Sequence, residues 1–98
     1  MTTNEEQKQI LFALGQVVAT PAALAAIEDA GQNPMQFLLR HVTGDWGDLP
    51  EEDKQENEFS LEHGFRIFSA YHTTNGVKFY VITEYDRSVT TFLLPHEY

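Results

Sequence analysis

The 98-residue sequence contains no cysteine, and this absence excludes disulfide bonds and thiolate metal sites. Basic residues are also few, with six Lys and Arg against 15 Asp and Glu, so the formal net charge is −9. A protein with this charge repels phosphate backbones and anionic lipid. We therefore expect no direct binding to nucleic acid and no binding to a membrane surface.

Long hydrophobic runs are absent as well. No apolar segment approaches the roughly 20 residues that cross a bilayer, and the opening residues MTTNEEQKQ lack the basic region of a signal peptide. Four histidines show no metal-ligand spacing, and the sequence has no HExxH, no glycine-rich phosphate loop and no GxSxG motif. We therefore expect a cytoplasmic protein with no metal and no cofactor.

Apolar residues are plentiful enough for folding. They make up 42% of the chain and include one Trp, four Tyr and seven Phe, a composition typical of a globular protein. A chain of this length forms one domain with a single modest core, because it is too short to build a second one. The sequence therefore predicts a single domain over residues 1 to 98.

The first predicted helix begins near Asn4 and Gln7, which resemble a capping box and precede apolar residues at helical spacing. Gly15 suits the end of this helix. The next four residues, QVVA at 16 to 19, are short and β-branched, as in a strand. The sequence leaves open whether they form a strand or continue the helix.

Three further helices are predicted from their starting signals. Thr20-Pro21 and Asn33-Pro34 each place a capping side chain before a proline at the first helical position. These helices then run to about Ala30 and to Gly44. A fourth helix is predicted from about residue 50 to residue 62, where only Phe59 and Leu61, together with Leu49 before the helix, are apolar enough to anchor it.

Acidic side chains dominate the region of the fourth helix. Residues 45 to 62 hold eight acids and one base, a net charge of −7. A solvated helix face is the usual explanation of such a pattern. The sharper interpretation is that the carboxylates present a phosphate-like field to a basic groove on a nucleic-acid-handling protein. The candidate contacts are Glu51, Glu52, Glu56 and Glu58.

After Gly64 the apolar period changes to two. The segments FRIFSAYHT and VKFYVITEY flank Asn75-Gly76, and a two-residue turn there pairs Thr74 with Val77. This register puts Tyr71 and Tyr80 on one sheet face, which we expect to hold a partner or ligand or to lie under the helices. With a third strand at 89 to 94, the sequence predicts an α+β fold, N-terminal helices followed by a three-stranded antiparallel β-meander.

Five segments also resemble a known family. VVATPAAL, GDWGDL, FRIFSAY, VITEYDRSVTT and LLPHEY, spread over residues 14 to 98, are similar to small uncharacterised bacterial, plasmid and phage proteins labelled plasmid-related or restriction-system subunits. The resemblance implies one domain and a mobile-element setting, and it implies no established activity. Nothing in the sequence resembles a cofactor-binding fold or an Asn-Pro-Pro-Tyr motif, so we do not infer a restriction methyltransferase.

The stretch GDWGD has two interpretations. In the structural one, Asp45 or Asp48 caps the fourth helix and Trp46 packs into the core. In the functional one, Trp46 anchors an interface whose rim is the acidic helix. The preferred functional hypothesis combines Trp46 with the acidic helix and the Tyr71/Tyr80 face. It is a binding module that inhibits or regulates a nucleic-acid-handling host protein, such as a restriction or CRISPR component, through that partner's basic surface.

Two other functional hypotheses remain at this point. One is a small enzyme that acts on a phosphodiester or nucleotide through convergent acids and bases. Its candidate catalytic residues are His41, Asp45, Arg66, Glu84 and Arg87. Against it, Asp-Arg-Ser at 86 to 88 is an ordinary turn composition. The other is a homodimer in which a strand edge or the aromatic sheet face is buried by a second copy.

Overall fold

The computed structural model describes residues 9–98 as an α+β domain. Within this range a four-stranded mixed sheet has the order β1-β4-β3-β2, with β1 parallel to β4 and the other neighbours antiparallel. The elements, in chain order, are β1 (Gln16–Ala19), α1 (Pro21–Asp29), α2 (Pro34–Val42), α3 (Glu51–His63), β2 (Ile67–His72), β3 (Lys78–Thr83), β4 (Val89–Leu93) and a short 3-10 helix (Pro95–Glu97).

The predicted α+β class is confirmed, but the three-stranded meander is incomplete because the sheet has a fourth strand. The open question at residues 16 to 19 is answered by β1, which pairs in register from Gln16↔Val89 to Ala19↔Phe92. The predicted start of the first helix, at Asn4 and Gln7, lies outside the described residues. Its continuation is wrong, since residues 9 to 15 form no helix.

The starting signals of α1 and α2 are confirmed. The Thr20 hydroxyl accepts a hydrogen bond from the Ala23 amide at 3.1 Å. Asn33 and Gln36 form a capping box at the start of α2. Each side chain satisfies amides that have no partner within the helix, which explains why both helices begin where the sequence predicts. The second of them ends at Val42, two residues before Gly44.

The β2–β3 hairpin differs from the prediction by one residue of register. The Thr73 amide donates to the Val77 carbonyl, and the loop holds three residues with Gly76 at φ +83°. Such a loop is a type I turn closed by a left-handed glycine, which uses one residue more than the predicted two-residue turn. A slip of one residue moves side chains to the opposite face. The predicted shared face of Tyr71 and Tyr80 is therefore wrong.

The main core lies between one sheet face and the helices α1 and α2. Phe37 of α2 meets Phe79 edge-to-face, with ring centroids 4.8 Å apart. The buried cluster comprises Ala23, Ile27, Phe37, Leu38, Tyr71, Phe79, Val81 and Phe92. On the opposite sheet face, Tyr98 packs against Phe68 and Tyr80. Both sheet faces are thus occupied by the chain's own side chains.

No helix within residues 9–98 combines the length and the apolar character needed to cross a membrane.

Candidate functional site

The GDWGD stretch lies against the outer edge of β2 and continues the sheet by one bridge. The Ala70 amide donates to the Trp46 carbonyl at 3.2 Å, and the Asp48 amide donates to the Ala70 carbonyl at 2.7 Å. Pro50 is the N-cap residue of α3, and no side chain caps that helix. The prediction that Asp45 or Asp48 caps it is therefore wrong. The stretch protects a strand edge from solvent.

Trp46 packs as the structural interpretation predicts. Its side chain is only 4% exposed and lies beside Phe12 and His41, with ring centroids 6.3 and 6.2 Å away. The indole Nε1–H donates to the Glu58 carboxylate at 2.9 Å. The ring is therefore not available to a partner in this structure. Glu58 serves to hold α3 against the Trp46 segment.

Asn57 completes the protection of the β2 edge. Its side-chain amide donates to the Phe68 carbonyl at 2.7 Å, and its carbonyl oxygen accepts from the Phe68 amide at 3.0 Å. One side chain thereby replaces the backbone pairing of a neighbouring strand. The prediction that Phe59 anchors α3 is wrong, because Phe59 is 54% exposed. Asn57 and Ser60 are the buried residues of this helix.

His41 is the centre of a buried hydrogen-bond chain. Its Nδ1 lies 2.6 Å from the Ser69 hydroxyl and its Nε2 lies 2.9 Å from the Thr83 hydroxyl. Thr83 in turn bonds Thr90, whose hydroxyl donates to the Leu14 carbonyl. Because that carbonyl only accepts, the chain assigns the proton to Nε2, and Nδ1 accepts from Ser69.

The electrostatic state of His41 follows from this position. Burial, with a smaller contribution from the Arg87 charge, lowers the pKa of His41 to about 3. A neutral imidazole whose two nitrogens are already bonded inside the core is a structural group. Because both ring nitrogens are bonded to buried hydroxyls, neither is placed to exchange a proton with a bound substrate.

The remaining candidates for catalysis are engaged separately. The Arg87 guanidinium donates to the carbonyls of Ser60, Phe65, Glu84 and Tyr85, and so it fastens the end of α3 to the β3–β4 turn.

Arg66 donates to the Tyr98 hydroxyl. Asp45 forms an ion pair with Arg40 at 2.7 Å. Asp45 and Arg66 also line different surface depressions. The structure does not gather the five residues into one cleft.

The two tyrosines of the predicted partner face lie on opposite sides of the sheet. Tyr71 is fully buried, and its hydroxyl donates to the Asp45 carbonyl at 2.6 Å. Burial raises the pKa of this hydroxyl. Tyr80 is half-buried beneath the Tyr98 ring, 5.9 Å away between centroids. Neither tyrosine contributes an open aromatic surface.

The surface of α3 is different, because its carboxylates are exposed and have no basic partner in the described part of the chain. Within residues 9–98 the ion pairs are Arg40–Asp45 and His72–Asp48, and neither involves a residue of α3. The exposed acids of the helix, apart from Glu58, are Glu51, Glu52, Asp53, Glu56 and Glu62. We call these five residues the acidic face.

Three rings stack at the other end of α3. The rings of Phe59 and His63 lie 4.0 Å apart between centroids with 16° between their planes, and Phe65 follows at 5.9 Å from Phe59. Phe59 and Phe65 are 54% and 53% exposed. We call these three residues the aromatic stack. It places a sizeable apolar surface in water, directly beside the acidic face.

Comparison with family models, curated proteins and solved structures found no match. The resemblance to plasmid and phage proteins therefore stays a prediction. Among residues 9–98, no group of three or more His, Asp or Glu side chains is placed to hold a metal ion.

The aromatic stack was missed by the sequence reasoning. Phe59 and His63 are four residues apart, which places them together on a helix, and Phe65 follows the helix end at Gly64. This spacing was a usable signal. The sequence did not predict the stack, because an acidic helix with so few apolar residues is expected to bury the ones it has, including Phe59.

Proposed function

We propose that the protein is a non-enzymatic binding module that occupies a basic surface of a protein partner. The observation that carries this proposal is α3, which presents unpaired carboxylates and an exposed aromatic stack on one element. Apart from Glu84, whose carboxylate forms no hydrogen bond or ion pair within residues 9–98, the other side chains considered for function are engaged in holding the fold. Since α3 is tied down through Asn57, Glu58 and the contacts of Arg87, its exposed side chains need no large rearrangement to bind.

The two parts of this surface contribute differently to binding. Exposed carboxylates attract a basic partner over several ångströms and raise the association rate, an effect that salt weakens. Aromatic rings that become desolvated in an interface supply most of the affinity. The acidic face therefore serves to orient the partner, and the aromatic stack serves to hold it.

The partner class follows from the spacing of the charges. Residues 51 to 62 carry six acids, and a helix of this length extends over about 18 Å. That is one charge per about 3 Å, close to the one per about 3.4 Å of a single DNA strand. A groove that binds nucleic acid would accept such a helix. A restriction or CRISPR component fits this description, and the mobile-element resemblance favours it.

Neutralising three residues of the acidic face should strongly reduce capture of the partner without unfolding the protein. The variant carries Glu51→Gln, Glu52→Gln and Glu56→Gln, and it keeps Glu58 because that carboxylate bonds Trp46. We expect a tagged parent protein to retain a nucleic-acid-handling protein from a host lysate at low salt. The variant should retain at least about tenfold less, because it has lost three attractive charges.

The control removes charge elsewhere, through Glu28→Gln and Asp29→Asn. Both residues lie on α1, which packs on β4, whereas α3 packs on β2 at the edge of the sheet. Capture by the control at the level of the parent would show that position, and not net charge, matters. Equal loss in both variants would contradict the acidic face as the binding surface.

Truncating the aromatic stack should weaken the same complex through its dissociation rate. Phe59→Ala removes a half-exposed ring, so we expect unfolding free energy to change by less than about 0.5 kcal/mol. The dissociation rate of the captured partner should rise roughly tenfold, measured by surface plasmon resonance with that purified partner. Met35→Ala, at 58% exposure on α2, is the control. A dissociation rate that Phe59→Ala leaves unchanged would remove the stack from the proposal.

A further inference from the structure

The two edges of the sheet, β1 and β2, differ in their hydrogen bonding. The β2 edge is covered by Trp46, Asp48 and Asn57, as described above. At β1, the Gln16 amide donates to Ser88 and the Thr20 amide donates to Phe92, so alternate residues face β4. Val17 and Ala19 consequently point their amides and carbonyls outward. Within residues 9–98 no group pairs with them.

Apart from its short length of four residues, the β1 edge lacks the devices that keep strand edges from pairing with another chain. The sequence QVVA contains no proline and no charged residue, and Val17 and Val18 are 43% and 37% exposed. An apolar groove of about 320 Å³ is lined in part by Gly15, the residue before this strand. Its lining includes Ile10, Leu14, Met35 and Leu39. Apolar surface therefore continues from the strand edge toward α2.

We propose that β1 is a dimerisation edge, at which β1 of a second copy pairs antiparallel about a twofold axis through Val18. In this arrangement Val17 of one copy forms two hydrogen bonds with Ala19 of the other, and the symmetric pair forms two more. Val18 then faces Val18 of the second copy in a pair without hydrogen bonds, where side chains lie closest. The two sheets become one sheet of eight strands.

The distribution of charge points to a second copy as the occupant. Two copies of a protein of net charge −9 repel one another most strongly where their acids cluster, and the largest cluster, six of the 15 acids, lies on α3, which packs on β2. Strands are spaced about 4.8 Å apart, so the sheet order places β2 roughly 14 Å from β1. In the dimer the two β2 strands lie more than about 30 Å apart, well beyond the Debye length of about 8 Å in physiological salt.

The dimer also adds to the proposed function. It places one acidic face and one aromatic stack at each end of the joined sheet. A partner with two basic grooves, or two neighbouring partners, then binds both ends with an avidity that a monomer lacks. The strand pair buries less area than a standard stable interface, so the dimer should dissociate on dilution into the micromolar range.

Charged substitutions at Val18 test the proposed twofold axis directly. Val18→Lys and Val18→Glu each place two like charges opposite one another, and we expect each variant alone to dimerise at least about tenfold more weakly than the parent. An equimolar mixture should recover dimer, because the axis then joins Lys to Glu. Sedimentation equilibrium over a range of concentrations measures all three samples, and circular dichroism confirms that they are folded.

Val77→Lys, at 38% exposure in the β2–β3 hairpin, is the matched control and should dimerise like the parent. In the parent, amide exchange at Val17 and Ala19 should slow as concentration rises. The proposal is overturned by a parent that stays monomeric at about millimolar concentration, or by variants that dimerise unchanged. A mixture that fails to recover dimer also overturns it, because the copies then meet at another surface.

Discussion

Acidification from about pH 7.5 to about pH 5 will lower the free energy of unfolding by about 2 kcal/mol through His41 alone. The folded protein holds the pKa of His41 at about 3, against an ordinary value of 6.5 in the unfolded chain. Below pH 6.5 the unfolded chain therefore binds a proton that the folded protein does not. The contribution of His41 to stability is complete above pH 6.5 and declines as the pH falls toward 3.

Between about pH 7.5 and about pH 5, the effect of His41 on stability can be measured apart from the effect of the carboxylates. Hydrogen bonds lower the pKa values of Asp86 and Glu97, so any stability from these groups is lost only below their ordinary values of 3.8 and 4.5. Urea unfolding at several pH values measures how the free energy of unfolding changes with pH. His41→Gln should be less stable at neutral pH, because the chain through Ser69 and Thr83 is broken, but its stability should depend much less on pH.

His96→Gln is the control for the histidine experiment, since His96 is exposed in the short 3-10 helix. The free energy of unfolding of this variant should depend on pH as that of the parent does. If the parent and His41→Gln show the same dependence between about pH 7.5 and about pH 5, His41 does not have the lowered pKa that its burial implies.

Local signals in the sequence predicted α1, α2 and α3 well, but they also predicted a helix through residues 9 to 15 that does not form. The structure shows why α1, α2 and α3 were predictable. Thr20 and Asn33 act on amides two or three residues away, so their effect is contained in a short stretch of sequence. Gly64 ends α3 at φ +73° for an equally local reason. The elements predicted correctly are those decided by neighbours along the chain.

The elements that the sequence left open or predicted wrongly depend on distant partners. The segment at 16 to 19 becomes a strand because Gln16 pairs with Val89, far along the chain, and no local pattern shows this pairing. The hairpin register depended on whether the Asn75-Gly76 turn used two or three loop residues. Both loops fit the same sequence, and the difference exchanges the sheet faces of one strand relative to those of the other.

The candidate site was only partly predictable for a related reason. The exposed acids of α3 follow from its composition, because carboxylates avoid burial without a partner. The roles of Asn57 and Phe59 were exchanged in the prediction, since the polar residue is buried and the aromatic one is exposed. Asn57 is buried because the Phe68 backbone at the β2 edge needs a hydrogen-bond partner, which sequence periodicity does not report.

Replacing Gly47 by alanine will lower the free energy of unfolding by about 3 kcal/mol or more. Gly47 has φ +79°, and an added Cβ would overlap the Ala70 carbonyl and lie 2.6 Å from Cδ1 of Tyr71. The left-handed conformation alone costs about 1 kcal/mol for alanine. The remainder arises because the segment must move off β2, which breaks the bond between the Asp48 amide and the Ala70 carbonyl.

Gly76→Ala isolates the conformational part of this effect. Gly76 has φ +83°, nearly that of Gly47, but an added Cβ there has no atom within 4 Å. We expect this variant to lose about 1 kcal/mol in urea unfolding, so the difference between the two variants measures the close approach of Gly47 to β2. Trp46 fluorescence should also shift in Gly47→Ala, as its carbonyl no longer holds Ala70. Equal losses in both variants would show that the GDWGD stretch does not lie against the β2 edge, and α3 would then lose its support for binding.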